Sequence, residues 1–181
     1  DEDEMDMFPV DNIVDGDGLL DEEGSKPTPK QSVKAVQDVA ATKTFSGKST
    51  LPALIEFSIV ARADEGFNGE DLFDAFERVG LTYGSVKVFE RIDRNRLVDF
   101  AVASMIDPGT FPDKNLHEFY CPGIVFYMQP REVDDALVVF DDFIDTIDTL
   151  ATELDGVVWD NQRQPLTADT IAQFRHMLSG R

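Results

Sequence analysis

The chain has 181 residues and sets 16 Lys and Arg against 36 Asp and Glu, a formal charge of −20. The length suits one medium domain, or a smaller domain with a tail. The charge argues against nucleic acid and anionic lipid surfaces as partners, because both are held by clustered basic side chains. A single cysteine, Cys121, and two histidines leave no internal disulfide and no Cys/His zinc site, which is compatible with a reducing compartment.

Residues 1–50 hold 12 acidic and 5 basic side chains and open with Asp1-Glu2-Asp3-Glu4. They run through Gly, Pro, Ser, Lys and Thr without a sustained period, so they bury too little apolar area to offset ordering entropy. The expectation is a disordered acidic linker over 1–50 and a folded domain over 51–181. Val33, Val36, Val39 and Ala40 have helical spacing and fit a short transient helix. Asp15-Gly16-Asp17-Gly18 suggests a calcium loop, but counting from Asp15 puts Leu19 at position 5 and Leu20 at position 6, so the frame fails. No apolar run reaches the roughly 18 to 20 residues that span a bilayer. Beginning at Asp1 rather than Met, the chain is expected to be a piece of a longer protein whose N-terminal anchor lies elsewhere.

In the folded part, Leu54 to Ile59 alternates and places Ile55, Phe57 and Ile59 on one face of a strand. Asn68 caps a helix whose inner stripe is Leu72, Phe73, Phe76 and Val79, ending at Gly80. Strands are expected at about 82–91 and 97–106, joined as a hairpin at Asp93-Arg94-Asn95. Residues 107–121 read as an irregular crossing, and Ile124 to Met128 as a further strand. A long helix at about 132–154 carries Val133, Leu137, Phe140, Ile144, Ile147 and Leu154 inward and ends at Gly156. Val157-Val158-Trp159 and a segment near 162–166 then make a small hairpin, and Thr167 caps a last helix with Ile171, Phe174 and Leu178. The order β-α-β-β-β-α-β-β-α is an α+β pattern, an antiparallel sheet with its helices gathered on one face.

Catalytic chemistry has little to work with. His117 and Cys121 stand four apart with nothing to orient the imidazole, and Cys121 before Pro122 reads as a small semi-buried residue. Asp134, Asp141, Asp145 and Asp148 follow helical spacing as a solvated face, without the Glu-x-x-His pairs of a di-metal bundle. The chain is expected to be no enzyme and to need no cofactor or metal.

The informative feature is that the strands are apolar on both parities. Leu54 opposes the Ile55 set, Val86 and Val88 oppose Phe89, Ala101, Ala103 and Met105 oppose Phe100 and Val102, and Val125 and Tyr127 oppose Ile124 and Phe126. A sheet with helices on one side and water on the other shows polar residues at the second set. Either loops or the N-terminal segment cover that face, or it is an open apolar groove for a partner such as an amphipathic helix.

Four blocks, Phe67-Asn68-Gly69-Glu70, Ile106-Asp107-Pro108-Gly109-Thr110-Phe111, Pro122 through Gln129, and Gly156 through Arg163, match in order and spacing those of one family. From about residue 51 to 179 the chain resembles the ZipA C-terminal domain family of bacterial cell division. The resemblance implies a six-stranded antiparallel sheet with three helices on one face. It implies an open groove on the other that binds the C-terminal tail of FtsZ, the tubulin-like division GTPase. In that family a transmembrane helix and a linker precede the domain, so the resemblance implies tethering of the FtsZ ring to the cytoplasmic face of the inner membrane at the septum. Carried over residue by residue, the tail-binding positions are Leu54, Val86 with its neighbour Ser85, Val88, Ala103, Met105, Val125 and Tyr127, where Tyr127 replaces a Phe. Glu56 stands at an often apolar position and Asp107 at one often held by Lys, so both are expected to face basic residues of the tail. The alternative is a small-molecule-binding or catalytic α+β domain of ferredoxin-like topology, which needs converging polar groups.

Overall fold

The computed structural model describes residues 50–179. The expected acidic linker, its transient helix and the failed calcium frame lie outside the described residues. The domain is α+β. Its six-stranded sheet is built of β1 (Ile55–Ala61), β3 (Thr82–Tyr83), β4 (Phe89–Ile92), β5 (Val98–Ser104), β7 (Gly123–Met128) and β8 (Gly156–Trp159), in the order β3-β4-β5-β7-β1-β8. Every pairing is antiparallel. A separate ribbon joins β2 (Phe67–Asn68) to β6 (Tyr120–Cys121). The helices are α1 (Gly69–Arg78), α2 (Ala136–Leu154) and α3 (Ala168–Ser179).

Alternation decides which side of the sheet the helices take. Ile55, Phe57 and Ile59 on β1 stand opposite Met128, Phe126 and Ile124 on β7, and all six are buried. They join Phe100 and Val102 of β5, Phe76 of α1, Phe140, Phe143 and Leu150 of α2 and Leu178 of α3 in one core. Phe57 meets Phe143 at 5.8 Å and Phe140 at 6.4 Å between ring centroids, and Phe76 meets Phe89 at 4.5 Å. Each such ring contributes on the order of 1.5–3 kcal/mol by leaving water. Arg91 of β4 ties the sheet to two helices: its Nε donates to Asp142 Oδ2 at 3.0 Å, Nη2 to Thr146 Oγ1 at 2.8 Å and Nη1 to the Val79 carbonyl at 2.7 Å.

α1 begins as its cap demands, with Asn68 Oδ1 accepting from the Glu70 amide at 3.0 Å. Other boundaries move. The strand expected over 82–91 is two strands separated by a turn, in which the Lys87 amide donates to the Gly84 carbonyl at 3.0 Å and Lys87 has φ 68°. A positive φ ends an extended run, so Val86 sits in a turn rather than on a strand. The crossing at 107–121 contributes β6 and a 3₁₀ turn, Leu116–Glu118. It is held by Asn68 Nδ2 donating to the His117 carbonyl at 3.0 Å and the Gly69 amide to the Phe119 carbonyl at 2.8 Å. α2 starts at Ala136, capped by Asp135, while Pro130–Glu132 forms a 3₁₀ turn. Its end is the left-handed Asp155, and Gly156 is already strand. A Cβ on Gly156 would lie 2.4 Å from Ile59 Cγ2, which is what that glycine is for. The helix turns Val139, Phe143 and Leu150 fully inward, whereas Leu137 and Ile144 are only half-buried. The final hairpin is short: Trp159 bridges Pro165, the Leu166 amide donates to the Val158 carbonyl at 3.0 Å and the Asp160 amide to the Gln164 carbonyl at 2.7 Å, while the other edge of β8 pairs with β1.

Candidate functional site

The side of the sheet away from the helices carries a second apolar cluster of Val88, Ala101, Ala103 and Tyr127, with Leu54 and Val125 packed against it. It follows from pleat: these residues alternate with the core-facing set on β5 and β7, and a strand sends successive side chains to opposite faces. Registers arrange the face in rows. Glu90, Ala101, Tyr127 and Glu56 are cross-strand neighbours in turn over β4, β5, β7 and β1. Ala103, Val125, Ser58 and Trp159 form the next row, over β5, β7, β1 and β8.

Of the ten residues expected to bind, the cluster unites Leu54, Val88, Ala103, Val125 and Tyr127. The other five stand at the ends. Glu56 is exposed at the Tyr127 row. Met105 and Asp107 are exposed beyond the far end of β5, and Ser85 and Val86 are exposed in the turn before β4. Buried Ser104 fixes that far end: its amide donates to the Gly109 carbonyl at 3.0 Å and its Oγ donates to the Thr110 carbonyl at 2.9 Å. The Met105 amide donates to the Gly123 carbonyl at 3.0 Å. A Cβ on Gly123 would stand 2.7 Å from Met105 Sδ, so this glycine lets the thioether lie over β7.

Sequence reasoning left out Glu90, Ser58 and Trp159 as members of this face. Trp159 could have been found from its parity with Val157 against the core-facing Val158. Glu90 is half-buried, its carboxylate over Gly84, where a Cβ would lie 2.7 Å from Oε1. Burial raises its pKa above the ordinary glutamate value. The face is thus apolar in the middle, with Glu90 and Glu56 at either side of the Ala101–Tyr127 row and Asp107 beyond the far end of β5.

Cys121 is buried, and desolvation pushes its thiol up to about 12, while His117 is exposed beside Glu118. A neutral buried thiol is neither nucleophile nor metal ligand. Among the described residues no group of three or more His, Cys, Asp or Glu is placed to hold a metal ion. No described helix is long and apolar enough to cross a membrane.

The family model described as ZipA, C-terminal FtsZ-binding domain, matches residues 53–177. The chain belongs to the ZipA C-terminal domain family. The cell division protein ZipA of Shewanella oneidensis is 30% identical over 152 residues, which are 82% of this chain and 44% of that protein. ZipA of Vibrio parahaemolyticus is 30% identical over 157 residues, 83% of this chain and 50% of that protein. ZipA of Shewanella sp. strain MR-4 is 33% identical over 123 residues, 66% of this chain and 36% of its own length. The chain therefore spans half or less of these ZipA relatives.

Proposed function

We propose that this domain is a cell-division adaptor that binds the C-terminal tail of FtsZ on the sheet face opposite the helices. The observation that carries the reading is the apolar cluster of Val88, Ala101, Ala103 and Tyr127 on that face, in a chain of the ZipA C-terminal domain family. A tail peptide with an apolar stripe would lie against Tyr127, Val125 and Leu54, with Met105 adapting its flexible thioether to the occupant. Affinity would concentrate in Tyr127 and Met105, while Glu56, Glu90 and Asp107 would select basic flanks. In the whole protein, the segment preceding this domain would carry the membrane anchor and tether the FtsZ ring to the cytoplasmic face of the inner membrane at the septum.

The test is an NMR titration of the chain with a synthetic FtsZ tail peptide. Shifts gathered on Leu54, Val88, Ala103, Met105 and Tyr127 support the reading. Shifts gathered on the helices, or none at millimolar peptide, would remove it.

A further inference from the structure

The second face continues past its buried cluster onto the edge of the sheet. Ser58 alternates with core-facing Phe57 and Ile59 and pairs with Trp159, so the indole stands on the side away from the helices. Val60, between core-facing Ile59 and Ala61, pairs with Gly123 on β7 and with Val157 on β8. The Met105 thioether takes the space over Gly123, where a Cβ would stand 2.7 Å from Sδ. Met105, Val60 and Val157 therefore follow one another across β7, β1 and β8, with Trp159 two residues along β8 from Val157.

This strip differs from the cluster beside it in what it leaves open. Val88, Ala101, Ala103 and Tyr127 are buried, so an arriving chain gains fresh apolar surface chiefly from what borders them. Met105 is 38% exposed, and Val60, Val157 and Trp159 are each half-buried. None of the four belongs to the helix-side core or to the second cluster. They form an apolar surface still in contact with water.

Trp159 is also held ready. One edge of β8 pairs with β1, and on the other Trp159 bridges Pro165 while the Leu166 amide donates to the Val158 carbonyl at 3.0 Å. A large ring on a backbone fixed from both sides loses little freedom when it is covered, which is how aromatic anchors dominate interfaces.

The strip joins the face that the FtsZ-tail reading uses. Ala103, Val125, Ser58 and Trp159 are cross-strand neighbours in one row, and Val125 packs against the second cluster. Met105 borders both surfaces. From β5 to β8 the row spans about 14 Å, the length of a helix of about ten residues. An amphipathic segment of that size touches Met105 and Trp159 at once.

We propose that the FtsZ tail crosses from the Tyr127 cluster over Met105 onto Val60, Val157 and Trp159, and that Trp159 anchors its apolar stripe there. The inference rests on the FtsZ-tail reading for the partner and adds the edge of the sheet to its site.

Trp159 is the single tryptophan of the chain, so its emission reports on this strip alone. The experiment titrates the full chain with a tryptophan-free FtsZ tail peptide, following indole emission and binding heat together. The expected result is a blue shift that saturates with the heat, because the ring leaves water. Trp159→Ala is expected to bind the peptide at least about fivefold more weakly, and Trp159→Phe to recover most of that loss. Met177→Ala, which removes an exposed side chain of α3, should bind as the parent does. Binding heat with an unmoved emission, or equal affinity of the Trp159→Ala chain, overturns the strip and leaves the FtsZ reading standing. Neither heat nor emission change at millimolar peptide removes the FtsZ reading and the proposal with it. Emission that shifts on dilution without peptide assigns the strip to a second copy of the chain and overturns the proposal.

Discussion

Ala101 of β5 and Tyr127 of β7 stand directly opposite each other, a single methyl beside a phenol ring, and both are buried on the side of the sheet that no described helix side chain shares. Tyr127→Ala is expected to weaken binding of the FtsZ tail peptide by about 1 kcal/mol or more, with the circular dichroism spectrum of the folded domain kept. Ala101→Leu should weaken binding from the opposite strand by crowding the Tyr127 ring. Unchanged affinity for both variants in a calorimetric titration would place the tail elsewhere.

The ends of the face carry acids rather than bases, and exposed rim charges act on encounter more than on the bound state. Association of the tail peptide, followed by stopped flow, is expected to slow as salt rises. Asp107→Lys should slow it further at low salt and flatten the dependence, because Asp107 is exposed at the Met105 end. Rates indifferent both to salt and to this substitution would show that the tail's basic residues point away from the domain.

Glu90 predicts a pH dependence of stability. Burial raises its pKa, so ionisation costs more in the folded chain than in the unfolded one. Its stabilising contribution is complete below the ordinary glutamate value and is lost as pH rises through the raised value. Glu90→Gln should therefore gain stability over the parent in urea melts at about pH 8 and lose that advantage near pH 4. A difference independent of pH would mean that the carboxylate over Gly84 is fully solvated.

Cys121 predicts the opposite of reactivity. Buried among the helix-side core residues with its thiol pushed up to about 12, it holds almost no thiolate at neutral pH. A disulfide exchange reagent at pH 8 should leave the native chain unlabelled and titrate one thiol after unfolding in urea. Native-state labelling at the rate of a free thiol would show that the crossing between β5 and β6 opens.

What could be read from the residues was local. Asn68 capped its helix because an N-cap is a bond between side chain and backbone two residues apart. The two-parity apolar pattern exposed the second face because alternation is a property of one strand by itself. The α+β arrangement, its sheet and the family resemblance followed from such signals added along the chain.

Other features depended on residues far apart in sequence. The break between β3 and β4 comes at the left-handed Lys87, whose carbonyl accepts from the Phe111 amide at 2.8 Å, a partner 24 residues on that the apolar Val86, Val88 and Phe89 do not announce. The inward turn of Val139 and Phe143 depended on which stripe of an almost wholly apolar helix met the sheet, and periodicity alone preferred Leu137 and Ile144.

The sequence by itself determined that the strands holding Phe100 to Ala103 and Ile124 to Tyr127 are apolar on both parities, since the two-residue period of a strand sends successive side chains to opposite faces. Only the tertiary structure decided how wide the second face is and what bounds it. β8 closes its short hairpin on one edge and pairs with β1 on the other, which carries Trp159 into the row of Ser58 and Val125. Register across four strands aligns Glu90 with Glu56 at either side of Ala101 and Tyr127. Those neighbours come from strands far apart in the chain, and strand pairing is set by packing of the whole sheet rather than by any local propensity.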